Sequence, residues 1–151
     1  MTTVDKAARN GTTVYDTILL TLDGTLTDRA IIEHVKQLAK LAHSRVVLLH
    51  VADGWAARTY GLDAVIPEII EDTAYLERVR LEFQELDIPA ESELAFGEPD
   101  KEIIKWVRQK RCDLVAMSTH GHRFLADMFL GTTATKVRHS ISVPILMIRA
   151  K

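Results

Sequence analysis

Three short stretches carry residue types suited to recognising a small polar ligand. Asp23-Gly24-Thr25 follows the apolar run Thr17-Ile-Leu-Leu-Thr-Leu22. His50-Val51 closes a second apolar run that begins at Arg45. Ser118-Thr119-His120-Gly121 follows a third, Asp113 to Met117, and nine residues separate Gly121 from Gly131-Thr132-Thr133. The last group is the richest. Gly121 permits a left-handed backbone and close approach of a ligand. Gly131, Thr132 and Thr133 open a helix whose free N–H groups, two hydroxyls and dipole make a natural anion site. A glycine turn followed by a threonine cap would leave the same trace. Asp23 offers a carboxylate to an exocyclic amine or a ribose hydroxyl, although Asp-Gly equally marks a tight turn.

The elements around these stretches bring them together. Continuous apolar runs at 17–22, 45–51, 113–117 and 145–148 read as strands covered on both faces. Glu91 to Phe96 is more polar at its start and reads as a strand near an edge. Helices are expected at 28–42, with Ile31, Val35, Leu38 and Ala42 on one stripe, and at 67–86, with Leu76, Val79, Phe83 and Leu86 inward. Further helices should begin at Pro99, with Ile103, Ile104 and Val107 facing the core, and at Thr132, with Ala134, Val137 and Ile141. Ala52–Pro67 lacks clear periodicity and reads as a partly ordered loop. Strands alternating with helices predict an α/β fold: one domain, a five-stranded parallel sheet with helices on both faces. The first strand should lie between the second and fourth, so the three stretches converge on one crevice beyond the strands' carboxyl ends. An acceptor, an apolar wall and an anion nest are what a nucleotide requires.

Composition narrows the field. The chain has 151 residues, is 47% hydrophobic and carries a formal net charge of -2. That supports an ordinary core without metal or disulfide staples, and no broad basic footprint for nucleic acid. The single cysteine, Cys112, rules out an internal disulfide and reads as a buried thiol. No run approaches the roughly 20 apolar residues of a membrane span, and residues 1–14 read as a disordered leader rather than a secretory signal. A cytoplasmic location is expected.

The chain resembles the universal stress protein family from about Tyr15 to Arg149. The residues that carry the resemblance are the strand end Thr21-Leu-Asp-Gly-Thr25, Leu49-His50-Val51, and Gly97-Glu98-Pro99 ahead of a helix. Asp113-Leu-Val-Ala-Met-Ser-Thr-His-Gly121 and Ser142-Val-Pro-Ile-Leu-Met-Ile148 complete it. The resemblance implies a Rossmann-like, adenine nucleotide alpha-hydrolase-like sheet and a stress-response regulator over 15–151 that binds ATP or AMP, with magnesium as an optional companion of the triphosphate. It implies that the Asp23 side chain and the Val51 backbone recognise adenine. Thr21 and Ser118 would meet the ribose, and Gly121, Gly131, Thr132 and Thr133 the phosphates. Members also pair their last strands into homodimers, here Ile145–Ile148. The family's nucleotide motif, Gly-x2-Gly-x9-Gly-Ser/Thr, is met except at its first glycine, where Ser118 stands, and Thr21 occupies a customary proline position. Ser118 supports the alternative of a dimeric regulatory protein that binds no nucleotide.

Other chemistries fit less well. Leu22-Asp23-Gly24-Thr25-Leu26-Thr27-Asp28 mimics the opening of haloacid-dehalogenase-type phosphatases, but the nucleophilic aspartate position holds Thr21. His120, His122 and Asp127 lack a further strong ligand nearby for a metal. His50 and the other scattered histidines suggest no catalytic role. With no convincing general base, catalysis is expected to amount at most to slow ATP hydrolysis. The Gly-x-Gly-x-x-Gly turn of dinucleotide folds is absent after the first strand.

Overall fold

A computed structural model of the protein describes residues 13–52, 58–61, 63, 65–119 and 132–149. Five strands, β1 (Thr17–Leu22), β2 (Arg45–Ala52), β3 (Ala90–Phe96), β4 (Leu114–Ser118) and β5 (Ile145–Ile148), form one sheet in the order β3-β2-β1-β4-β5. Every pairing is parallel. Helices α1 (Arg29–Ala42), α2 (Ile66–Gln84), α3 (Pro99–Gln109) and α4 (Thr132–Ser140) make the crossovers. A right-handed crossover is the geometry a twisted parallel sheet favours.

Strand alternation divides the core in two. Ile18, Leu20 and Leu22 of β1, Val46 and Leu48 of β2, and Leu114 and Ala116 of β4 pack against Ile31, Ile32, Val35 and Ala39 of α1 and Leu76, Val79 and Phe83 of α2. Leu19, Val47, Leu49, Val115 and Met117 take the other face, under Ile103 and Val107 of α3 and Ala134 and Val137 of α4. Both faces of β1 are therefore covered, which is why its sequence is an unbroken apolar run with threonines at two positions. The polar β3 lies at the sheet edge, as expected from its sequence. Lys110 pairs with Glu91 at 2.8 Å and Glu93 at 3.3 Å, charging that edge against adventitious pairing.

Three helices end through left-handed residues that are not glycine: His43 after α1, Asp87 after α2 and Arg111 after α3. Each stop is closed by a backbone bond back into the last turn, from Ser44 to Ala39, Ile88 to Phe83 and Cys112 to Val107. The stop after α2 corrects one expectation. The helix ends at Gln84, not Leu86, and the chain reversal leaves Leu86 39% exposed while Ile88 fills the core at 4%. The α1 stripe also gains Ile32 and Ala39, with Leu38 only packed against its rim. Cys112 is buried, as anticipated. In the stretch read as a loop, residues 58–60 are helical. Residues 1–12 of the expected leader lie outside the described residues.

Candidate functional site

Parallel strands deliver all their carboxyl ends to one edge. From β1 the chain proceeds outward through β2 to β3, then returns to place β4 and β5 on the other side, so the winding reverses between β1 and β4. A doubly wound sheet opens a crevice at that point. Leu20 is level with Ala116, and carrying the register to the strand ends sets Leu22 level with Ser118. Asp23 and Thr119 are then the first residues past the two strands. α4 connects β4 to a parallel β5, so it must run back along the sheet, and its N-terminal Thr132 and Thr133 start at the same edge.

The loop after β1 is tightly built. Gly24 has φ +82°, where a side chain would be strained. Asp23 Oδ1 accepts from the Thr25 N–H at 2.9 Å and the Thr25 hydroxyl at 2.6 Å, and Oδ2 accepts from the Thr27 hydroxyl at 3.4 Å. The turn-forming reading of Asp-Gly is thus realised, and lone-pair capacity remains on the half-buried carboxylate. Thr25 caps the 3-10 turn Leu26–Asp28.

Beneath this loop lies a polar cluster that sequence reasoning missed. Asp28, only 1% exposed, accepts from the Asp23 N–H at 3.1 Å and the Gly24 N–H at 2.9 Å. The Tyr75 hydroxyl of α2 donates to the same carboxylate at 2.6 Å. Burial pushes the Asp28 carboxyl above its ordinary range, against the opposing pull of the Tyr75 hydroxyl, and Asp23's charge adds to the rise. Burial and the bond to Asp28 push the Tyr75 hydroxyl well above the usual phenol range. His50 Nδ1 lies 2.8 Å from the Leu22 carbonyl, so that nitrogen donates. Its Nε2 lies 3.3 Å from Asp72 Oδ2 of α2, near enough for an ion pair but not aligned as a hydrogen bond. The only sequence signal for these contacts was that Asp72, Tyr75, Leu76 and Val79 share one helical stripe, and it could not say what they would meet.

The remaining candidates separate by strand phase. Thr21 and Val51 fall in register with the residues facing α3 and α4, and Val51 packs on that core. The Thr21 hydroxyl donates to the Ala116 carbonyl at 3.4 Å, bridging β1 to β4. Ser118 is in phase with Leu114 and Ala116, on the α1 side, so its side chain and that of Thr21 leave opposite faces. Thr119, which was not singled out, shares the phase of Val115 and Met117, and its N–H donates to Ile148 at 3.0 Å. The hydroxyl oxygens of both Ser118 and Thr119 are buried, and among the described residues neither has a hydrogen-bond partner. Thr132 is exposed and Thr133 half-buried. Gly121, Gly131, His120, His122 and Asp127 lie outside the described residues. Among the described residues no group of three His, Cys, Asp or Glu side chains could hold a metal, and no helix is long and apolar enough to cross a membrane.

The fold and crevice define a doubly wound α/β protein, and comparison with known proteins gives it a family. The model of the universal stress protein family matches residues 14–149, and the chain belongs to that family. It is 26% identical over 148 residues to Universal stress protein MJ0531 of Methanocaldococcus jannaschii, spanning 93% of this chain and 86% of that one. Universal stress protein YxiE of Bacillus subtilis is 25% identical, with 90% of this chain and 100% of the relative covered. Among solved structures, that of MJ0577 superposes with a TM-score of 0.81 at 24% identity, covering 91% of this chain and 97% of the other. A universal stress protein from Archaeoglobus fulgidus in complex with dAMP gives a TM-score of 0.67 at 18% identity, over 89% and 98% of the two chains. One in complex with cAMP gives 0.67 at 15% identity, over 91% and 98%.

Proposed function

We propose that this chain is a stress-response regulator that binds an adenine nucleotide, ATP or AMP, in the crevice between β1 and β4. The observation that carries the reading is that the Ser118 and Thr119 hydroxyls, at the β4 end of that crevice, are buried with no hydrogen-bond partner among the described residues. A buried hydroxyl without a partner costs about 1–3 kcal/mol, a cost that a ribose or phosphate could offset. In this reading Asp23 and the Val51 backbone meet the base, and Thr21 and Ser118 lie near the ribose. Gly121, Gly131, Thr132 and Thr133 grip phosphates through neutral donors at the α4 N-terminus. Relatives of the same fold in complex with dAMP and cAMP support the choice of an adenine ligand. Magnesium would arrive with a triphosphate rather than be held by protein ligands alone.

A cytoplasmic homodimer paired through β5 completes the proposal. β5 is the second sheet edge, and all four of its residues are half-buried. Calorimetric titration of ATP and AMP into the wild type and Gly131→Val tests the site. Binding by the wild type and loss in the variant is expected, because a branched side chain would obstruct the phosphate loop. Equal tight binding by both would overturn the assignment. No binding by the wild type, with a dimer in solution, would favour the non-binding regulator that the serine at position 118 also fits.

A further inference from the structure

The loop after β1 offers the backbone N–H groups of residues 23, 24 and 25 within a strand–loop–helix turn. Such consecutive amides commonly form a nest for anions. Here none is left for one. The Asp23 and Gly24 amides donate to Asp28 at 3.1 Å and 2.9 Å, and the Thr25 amide donates to Asp23 itself at 2.9 Å. Two carboxylates have consumed the donors of the turn and contribute negative charge in their place. Asp28 is 1% exposed, a costly position for a carboxylate unless its oxygens are well used. The third donor that uses them, the Tyr75 hydroxyl at 2.6 Å, comes from a helix that supplies no other candidate ligand contact. His50 fixes the Leu22 carbonyl from below at 2.8 Å, so both sides of the Leu22–Asp23 peptide are held.

Resting on the nucleotide reading above, we propose that Asp28, held in place by Tyr75, is the specificity-determining residue that makes the β1 loop read hydrogen-bond donors and reject anions. Asp28 acts as a positioning residue and does not itself touch ligand. A base amine or ribose hydroxyl finds acceptors at this end of the crevice. A phosphate finds no free amide and two like charges there, and is left to the α4 N-terminus. Ligand orientation is thereby set before any contact with phosphate forms.

The test uses the full chain with two probes, adenosine and inorganic tripolyphosphate, and the variants Tyr75→Phe and Asp28→Asn. Amide hydrogen exchange is followed by NMR in ligand-free protein. Loss of a hydrogen bond to a charged group should speed exchange at Asp23 and Gly24 by about tenfold, with the Leu19 and Leu20 amides of β1 unchanged. Adenosine affinity should fall by about tenfold in Asp28→Asn while tripolyphosphate affinity holds or rises. Wild-type exchange rates at Asp23 and Gly24 in both variants would overturn the proposal. So would a parallel loss of affinity for both probes, which is the mark of general structural damage. If Asp28→Asn fails to fold, Tyr75→Phe carries both readouts. A wild type that takes neither probe refutes the nucleotide reading and the specificity role built on it. The exchange rates then decide separately whether Asp28 clamps the loop.

Discussion

Thr119→Val should stabilise the ligand-free protein and weaken its hold on nucleotide. The hydroxyl of Thr119 is buried past the end of β4 and has no hydrogen-bond partner among the described residues. Valine keeps the branched shape and the Thr119 N–H bond to Ile148, which belongs to the backbone. The substitution therefore removes an unsatisfied polar group and breaks no hydrogen bond among the described residues. An unpartnered buried hydroxyl costs about 1–3 kcal/mol, and the methyl that replaces it adds a favourable transfer of up to about 0.8 kcal/mol. Imperfect packing takes some of this back, leaving an expected gain of about 1 kcal/mol, or about 3 °C in Tm for a domain of this size. Urea denaturation at constant slope measures it. In nucleotide that gain should be cancelled: if the hydroxyl meets ligand, its loss should weaken binding by about five- to tenfold. A Thr119→Val protein destabilised by about 1 kcal/mol or more would refute the reasoning, because the hydroxyl would then have a partner in the folded state.

Two further outcomes follow from charge and burial. Arg29 first, then Lys36, holds the Glu82 carboxyl down to about 2 from an ordinary 4.5, tying α2 to α1 at 2.8 Å and 2.6 Å. A depressed carboxyl contributes stability that is present above its unfolded value and lost as pH falls from about 4.5 towards 2; Glu82→Gln should lose about 1 kcal/mol at neutral pH after solvent screening and flatten that acid limb in a pH-dependent denaturation series. Cys112, 4% exposed and pushed by burial up to about 11, should react with a thiol reagent at pH 8 only as fast as the protein unfolds. Rapid stoichiometric labelling of native protein would contradict its position in the core.

What could be read from the residues alone was whatever depends on local pattern. The span of β1, the start of α4, the span of β5 and the edge position of β3 all followed from apolar runs, Pro and Gly punctuation, and a polar strand start. The order of elements implied a parallel sheet, and the sheet fixed which loops share an edge. Leu86 and Ile88 mark where this reasoning stopped. Both continue an apolar pattern, and only a left-handed Asp87 decided which of them turns inward.

The environment of Asp23 was a tertiary matter. Its side chain, type and loop were evident, yet the carboxylate beneath it belongs to Asp28, and the hydroxyl that holds Asp28 comes from Tyr75, 47 residues further on. No periodicity links those positions, because burial of a polar group is settled by the partners that a fold happens to bring within reach. The same holds for Thr119. Strand phase places its side chain, but whether a hydroxyl is satisfied depends on every atom around it.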